Sequence, residues 1–387
     1  MKSVNIKEFG ALGDGIADDY LAVQSALDSG AEEVIIPQGI YCISDTLKVH
    51  SNTRILADRT AKLVMKSNKR KKRGDFLLSN ADVENGERNI EIIGGIWDGN
   101  NTAEQNRKPD LFDENGYSGA TLNIVNVDGF TLRDAVIANS VTFYVRMGKL
   151  HNFTIENIDF ISDNFGENQD GLHFGGDVKH GTVKNIRALS FGQTNDDMIA
   201  LNADDSIVRV ENRDLTCDTI EDIYFENIYC ESCHTIIRML SVTAAIRNIR
   251  FKNIYGGFRC HAVNADGARY CRTPLFKEDD HPAGIGKMED IYFENFVCRP
   301  TTCLPENWKG TPSTVGTAIC LESLAHNFNI RGFKLLPAAN GACATALKAR
   351  NLVDTVICAD DTAYILSEKS DSAVISNAEN ITINRQK

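Results

Sequence analysis

What the chain lacks narrows the field first. Over 387 residues it has no apolar stretch near the roughly 20 residues that span a bilayer, so no membrane partner is expected. Its opening, MKSVNIKEFGALGDG, holds no apolar run of the kind that forms the core of a secretory signal. The expectation is a cytoplasmic protein, with a secreted or periplasmic mature form, its signal removed, as the alternative. Positive charge is in deficit, 41 Lys and Arg against 53 Asp and Glu, for a net charge of −12. That balance argues against a nucleic-acid partner but leaves room for a local basic cleft and an anionic substrate. The basic run NKRKKRG, residues 68–74, reads as a solvated loop, or else as a rim that attracts an anionic glycan. Cysteine is present without a disulfide pattern: 11 residues, an odd count at irregular spacings, read mostly as reduced thiols in a reducing compartment. No linker or low-complexity tract divides the chain, so residues 1–387 are read as one domain. Hydrophobic residues at 42% and charged residues at 24% suit a globular chain with a sizeable core.

What is present is a repeat. A small polar residue is followed by apolar, any, apolar, any, Asn or Gly, apolar. The pattern appears as NIEIIGGI from Asn89, NFTIENIDF from Asn152, DIYFENIYC from Asp222 and NIRFKNIYG from Asn248. It returns as DIYFENFVC from Asp290, NFNIRGFKL from Asn327 and NITIN from Asn380, with looser copies from Gly129 and Gly181. The alternation has period two, so these are strands with one buried face. The intervals cluster near 25 residues, with two near 41 that imply an insertion or a double lap. A strand-rich unit of that length that never turns helical fits an all-β, right-handed parallel β-helix. The recurring Asn suits a turn at which side-chain amides stack as a ladder.

Only the N-terminus departs from this. In DDYLAVQSALDSG an Asp cap at Asp18 or Asp19, a short apolar run and Gly30 predict a capping helix over about 18–29. EEVIIPQGIYCI then reads as the first strands.

On these residues the chain resembles the pectin-active β-helix enzymes, and most specifically the polygalacturonase family of glycoside hydrolases, family 28. IKEFGALGDGIADDYLAVQSAL resembles their N-terminal F-G-A-x-G-D-G-x-x-D-D signature, and VIIPQGIY the strand that follows it. IIGGIWDGNN is similar to their G-x-I-D-G-x-G segment. NQDG, with Asn168 and Asp170, matches N-T-D-G; NDDMIAL, with Asp196 and Asp197, matches G-D-D-C-I-A-I; His234 falls where G-H-G is expected. The departures are Gln169 for the Thr, Cys233 and Thr235 for the two glycines, and Asn202 for a Lys. The R-I-K segment that grips galacturonate is not found, and FRCHAVNAD, residues 258–266, occupies its lap. The resemblance implies an inverting hydrolase of a uronic-acid-containing or related polysaccharide or oligosaccharide, with no cofactor or metal. It implies Asp196 as general acid, Asp170 and Asp197 as the groups that activate water, and His234 as a group that tunes the acid or holds the sugar.

The spacing supports a shared site on physical grounds. One lap of a β-helix returns the chain to the same side about 4.8 Å along the axis. The 26 residues from Asp170 to Asp196 are one such lap, and His234 follows after one more lap and its insertion. Carboxylates stacked so closely repel, so at least one is expected to hold its proton and serve as an acid. Asp-Gly and Asn-Asp steps are also ordinary turn chemistry, so spacing alone does not assign catalysis. Arg146, His173, Arg238 and Asn168 lie near the same laps and are candidates for binding the substrate. A Ca²⁺-dependent polysaccharide lyase, with Asp170, Asp196 and Asp197 holding the ion and Arg146 or Arg238 as base, and a non-catalytic glycan-binding or tailspike-like module are the rival readings. CESCH, residues 230–234, has the spelling of a haem-attachment site, and Cys230, Cys233 and His261 or Cys271 have zinc-ligand chemistry. Because they lie inside the strand repeat, they are read as buried thiols stacked along the coil.

Overall fold

A computed structural model describes residues 2–66, 76–101, 119–205, 212–267, 276–282, 284–315 and 317–340, and beyond these only the strand segments 345–350, 352–353, 356–359, 373–376 and 382–385. The basic run 68–74 and Cys271 lie outside the described residues. All paired strands are parallel and join one hydrogen-bonded system from Ser3 to Arg385. This is the predicted parallel β-helix. Among the described residues no helix is long and apolar enough to cross a membrane.

The N-terminal cap is a helix, α1, over Tyr20–Leu27, slightly shorter than expected. Its buried Val23, Ala26 and Leu27 join the main core. The two Asp residues before it divide the work. Asp18 Oδ1 accepts from the Tyr20 amide at 3.2 Å, while the Asp19 carboxylate turns back to accept from Leu12 and Gly13 at 2.6 and 3.1 Å. The signature acidic pair therefore ties the ALGDG loop to the start of the helix.

The central coils carry the site. Their strands are β1 (Leu122–Ala138), β2 (Val145–Ile161), β3 (Leu172–Phe174), β4 (Val178–Ala188), β5 (Asp197–Asn202), β6 (Ile220–Leu240), β7 (Ala245–Asp266), β8 (Lys287–Pro300), β9 (Thr317–Leu321) and β10 (Ala325–Leu335). The repeat read from sequence stacks in register: Phe130, Phe153, Gly181, Ile223, Ile249, Ile291 and Phe328 are successive partners. The long intervals are thus single laps that carry insertions, not double laps.

Two columns explain why the repeat holds. Inside, Phe225, Phe251 and Phe293 stack at centroid separations of 4.7 and 4.6 Å. Each such side chain contributes roughly 1.5–3 kcal/mol on burial. At the corner, Asn157, Asn185, Asn227, Asn253 and Asn295 all have φ near +57°, in the left-handed region that Asn tolerates. Asn157 donates to Asp134 Oδ1 at 2.7 Å, and each later amide donates to the side-chain oxygen of the Asn one coil below, at 2.8 Å for Asn185 and Asn227, 3.0 Å for Asn253 and 3.1 Å for Asn295. The expected amide ladder is present, and it satisfies a column of side chains that would otherwise face only water.

Candidate active site

The register corrects the lap on which the sequence argument rested. Leu172 pairs with Ile199, an offset of 27 residues, so Asp170 stands level with Asp197 and not with Asp196. The Gly171 amide donates to the Asp197 carbonyl at 2.9 Å, and the Asp197 amide points at Asp170 Oδ1 at 3.4 Å. Gly171 is required by this approach, because a Cβ there would stand 2.5 Å from the Met198 carbonyl oxygen. One coil on, Asp197 pairs with Thr235. The backbone amide of His234 donates to the Asp196 carbonyl at 3.1 Å, and its ring Nδ1 lies 3.4 Å from Asp196 Oδ1. The vertical pairs are Asp170 with Asp197, and Asp196 with His234.

Buried amides hold the turns that present these groups. Gln169 donates to the carbonyls of Ser140 at 2.6 Å and Asn164 at 3.1 Å, and accepts from the Gly166 amide at 2.9 Å. One coil on, Gln193 donates to the same Asn164 carbonyl at 3.2 Å and accepts from the Tyr144 hydroxyl at 3.0 Å. Gln169 therefore replaces the family's Thr with a residue that braces the turn.

Burial separates the four groups. Asp170 and Asp197 are buried, whereas the Asp196 and His234 side chains keep 30% and 24% of their surface, enough to meet a ligand. Donor atoms of Asp196, Asp197 and His234 all lie within 4.8 Å of one another. Burial, then the negative charges of Asp196 and Asp170, push the Asp197 carboxyl well above its ordinary value, against Arg238 and His234. The proton expected somewhere in the cluster is thus favoured on Asp197. Burial alone would depress His234, but its hydrogen bonds to Asp196 and Cys260, with their charge, raise it to about 10. His234 is an imidazolium that faces Asp196.

The candidate binding residues divide. His173 bonds Asp170 through Nδ1 at 2.7 Å and stacks on Phe143 at 3.9 Å, so it orients that carboxylate from within. Arg146 is buried, and its fork serves Asn123 and the Arg213 carbonyl, both parts of the protein. Arg238 is buried and paired with Asp266 at 2.8 Å. Asn168 is half-buried on the turn before Asp170, at φ +55°. Asn202 bonds Asp205 at 3.2 Å. Cys230 and Cys233 are buried with their sulfurs 3.3 Å apart, as the stacked-thiol reading expects.

Four further residues carried no legible role in the sequence. Arg259, in the lap where R-I-K was sought, is fully buried and donates to the Asn195 carbonyl at 3.0 Å. Cys260 and His261 follow it on β7, where His261 pairs with Thr235, the neighbour of His234. Trp308, on the segment before β9, packs on Phe165 and Phe191 at 4.6 and 5.7 Å and forms a wall beside the turn.

Asp170, Asp196 and Asp197, the ligands of the Ca²⁺ reading, lie on adjacent coils, and further carbonyl or water oxygens would have to complete the six to eight that Ca²⁺ takes. Arg146 and Arg238, the bases of the lyase reading, are both buried and bonded to Asn123 and Asp266 respectively.

Comparison with known proteins agrees with this architecture. The "Preneck appendage protein" of Bacillus phage PZA is 36% identical over 98 residues, which span 25% of this chain and 11% of that protein. The "Plasmin and fibronectin-binding protein A" of Streptococcus pneumoniae is 25% identical over 166 residues, 41% of this chain and 20% of that protein. The matched segments thus span well under half of these relatives' lengths. Among solved structures, the family 28 exopolygalacturonase of Yersinia enterocolitica superposes with a TM-score of 0.61 at 15% identity, over 99% of this chain and 78% of that one. That likeness is one of fold. Residues 3–259 match the model of one family, so the chain belongs to the rhamnogalacturonase A/epimerase, pectate lyase-like family.

Proposed function

We propose that this protein is a glycoside hydrolase acting on a uronic-acid-containing or related polysaccharide or oligosaccharide. One observation carries the reading: Asp170, Asp196, Asp197 and His234 converge from three coils, at the positions where the polygalacturonase-like motifs fall. Hydrolysis of a glycosidic bond needs a carboxyl that gives a proton to the leaving oxygen and a carboxylate that takes one from water. Asp196, the carboxyl open to the cleft, is the general acid. It takes the proton held on adjacent Asp197 and hands it to the leaving oxygen, and His234 fixes its orientation. Asp170, held by His173, and Asp197 on losing its proton are the groups that activate water. The product is inverted at the anomeric carbon. Inverting sites separate acid and base by about 6.5–9.5 Å. The nearest oxygens of Asp196 and Asp197 lie within 4.8 Å, so Asp170, one coil away, is the better base for a water across the bond.

A second reading is a binding module without turnover, in line with relatives named as a phage appendage protein and as a plasmin and fibronectin-binding protein. A panel of uronate polysaccharides and oligosaccharides, read for new reducing ends and for the ultraviolet absorbance of an unsaturated uronate, separates the readings. Reducing ends without absorbance support hydrolysis. Both together mean a lyase, and binding with neither means a module. A cytoplasmic site of action, on imported oligosaccharides, belongs to the same proposal. Eight of the cysteines stand as free thiols among the described residues, and thiol titration of the denatured, unreduced protein should find most of the 11.

A further inference from the structure

A groove of about 910 Å³ opens on the outer face of β6, β7, β8 and β10 and plays no part in that reaction. In β6 its Tyr224 precedes the corner Asn227, whereas His234 follows it, so the corner separates groove and cleft. One outward column of side chains builds the groove. Its register partners are Thr131, Thr154 and Thr182, and then Tyr224, Arg250 and Tyr292. Small hydroxyls thus give way to two phenols with a guanidinium between them.

These groups are held in place. The Arg250 guanidinium lies 5.2 Å from the centre of the Tyr292 ring. Stacking on an aromatic face leaves the edge of the fork free for a planar anion. Asn327 donates to the Tyr292 hydroxyl at 2.8 Å, and buried Asn329 donates to the Asn327 carbonyl at 3.1 Å. Among the described residues neither Arg250 nor Arg331 has an ion-pair partner, while Lys252 meets Glu294 at 3.6 Å. Arg250, Lys252 and Arg331 therefore face one carboxylate in the groove, that of Glu294, on a chain whose net charge is −12. The carboxylates just outside are already engaged: Glu226 meets Lys184 at 3.4 Å, and Asp290 accepts from Asn327.

We infer that this groove is a binding site for an acidic glycan, apart from the candidate active site. Arg250 and Arg331 take carboxylates, for which an arginine fork is well shaped. Tyr224 and Tyr292 pack against sugar rings, each offering an apolar face and a polar tip. Four strands span ~14 Å along the axis, and one coil is close to the length of a pyranose unit, so about three units lie along the groove. β6, β7 and β8 are each paired on both sides, so no open edge is offered to a peptide strand. The ligand class comes from the groove's own side chains and does not rest on the proposed hydrolysis.

The test is phenylglyoxal modification of arginines in the native full chain, read by peptide mapping. Short oligogalacturonate, short oligoalginate and carboxyl-reduced oligogalacturonate are added in turn. An acidic oligosaccharide at saturation should slow modification of Arg250 and Arg331 severalfold, and the reduced one should not. Arg133 is exposed in the same column as Arg331, three coils before β6, and should react as before. Buried Arg146 and Arg259 should stay unmodified, which reports an intact fold. Arg250→Ala should raise the concentration that half-protects Arg331 by about tenfold, with the melting temperature unchanged. Protection should be the same in the Asp196→Asn chain; its loss there would place the glycan in the cleft and overturn the assignment. Failure of both acidic oligosaccharides to protect, equal protection by the reduced one, or equal protection of Arg133 also overturns it. Turnover is not read, so the groove and the hydrolase reading fail separately.

Discussion

The guanidinium of Arg259 clasps Asn195, donating Nη2 to its backbone carbonyl at 3.0 Å and to its side-chain oxygen at 3.1 Å. Asn195 immediately precedes Asp196, so a residue 64 positions away in sequence fixes the turn that carries the proposed acid. The other nitrogens serve the carbonyls of Ser232, Gly192 at 3.3 Å and Thr311 at 2.9 Å. Arg259→Met would leave these acceptors buried without donors, at about 1–3 kcal/mol each where no water enters. The melting temperature should fall by several degrees and turnover should fall with it. Arg259→Lys should lie between, since an ammonium cannot reproduce the fork. A Met variant that melts with the unaltered protein would show that the clasp is dispensable.

Asp196→Asn keeps the shape of the side chain and removes the proton donor. Turnover on a substrate found by the panel should fall by ~10²–10⁴-fold, the usual loss of a positioned acid, with melting and substrate binding retained. Retention of more than about a tenth of the rate, or a product with its anomeric configuration kept, would reassign the acid.

Asp197→Asn should lose turnover and gain stability. Its folded pKa lies above the ordinary value, so the fold favours the protonated form and is penalised as pH rises past about 4. The Asn variant carries no such penalty. Its advantage in melting temperature should therefore grow from about pH 4 to about pH 8. A constant or shrinking difference would mean that Asp197 titrates ordinarily.

His234 and Cys260 have opposite linkage signs. His234, at about 10, lies above its ordinary value of about 6.5, so its contribution is complete below about pH 6.5 and lost as pH rises through about 10. Cys260, at about 5, lies below its ordinary value, so its contribution is complete above about pH 8.5 and lost as pH falls through about 5. The destabilisation caused by His234→Ala should thus be largest between about pH 6.5 and about pH 8.5 and shrink toward about pH 5 and about pH 10. Thermal melts at three pH values check it, and a pH-independent difference argues against the ion pair.

Asn227, in the middle of the corner ladder, has φ +59° and bonds Asn185 and Asn253. Asn227→Gly keeps the backbone conformation and loses the amide bonds, at about 1–2 kcal/mol. Asn227→Val adds a β-branched residue at positive φ and should cost more. Equal melting temperatures for the two would mean that the backbone conformation carries none of the penalty.

The architecture was legible in the amino-acid pattern. A period-two pattern that returns after each lap, with Asn at one fixed place, has few other ways to bury its apolar face and satisfy its turns. Asp18 and Asp19 marked the cap, and the carboxylates of the central coils could be found because each lies on a turn between recognisable strands. Tertiary structure decided what those residues do. Lap length is not constant, so counting 26 residues from Asp170 reached Asp196, while the ladder placed Asp197 there, at 27. Burial then ordered the four groups: Asp197 is the carboxyl held protonated, Asp196 and His234 face outward, and Arg146 is spent on Asn123 and the Arg213 carbonyl. Arg259 and Cys260 had no legible role, because each acts through residues far away in the chain. Their partners, Asn195 and His234, were chosen by the stacking of coils, and the low-dielectric space between coils gives those contacts their strength.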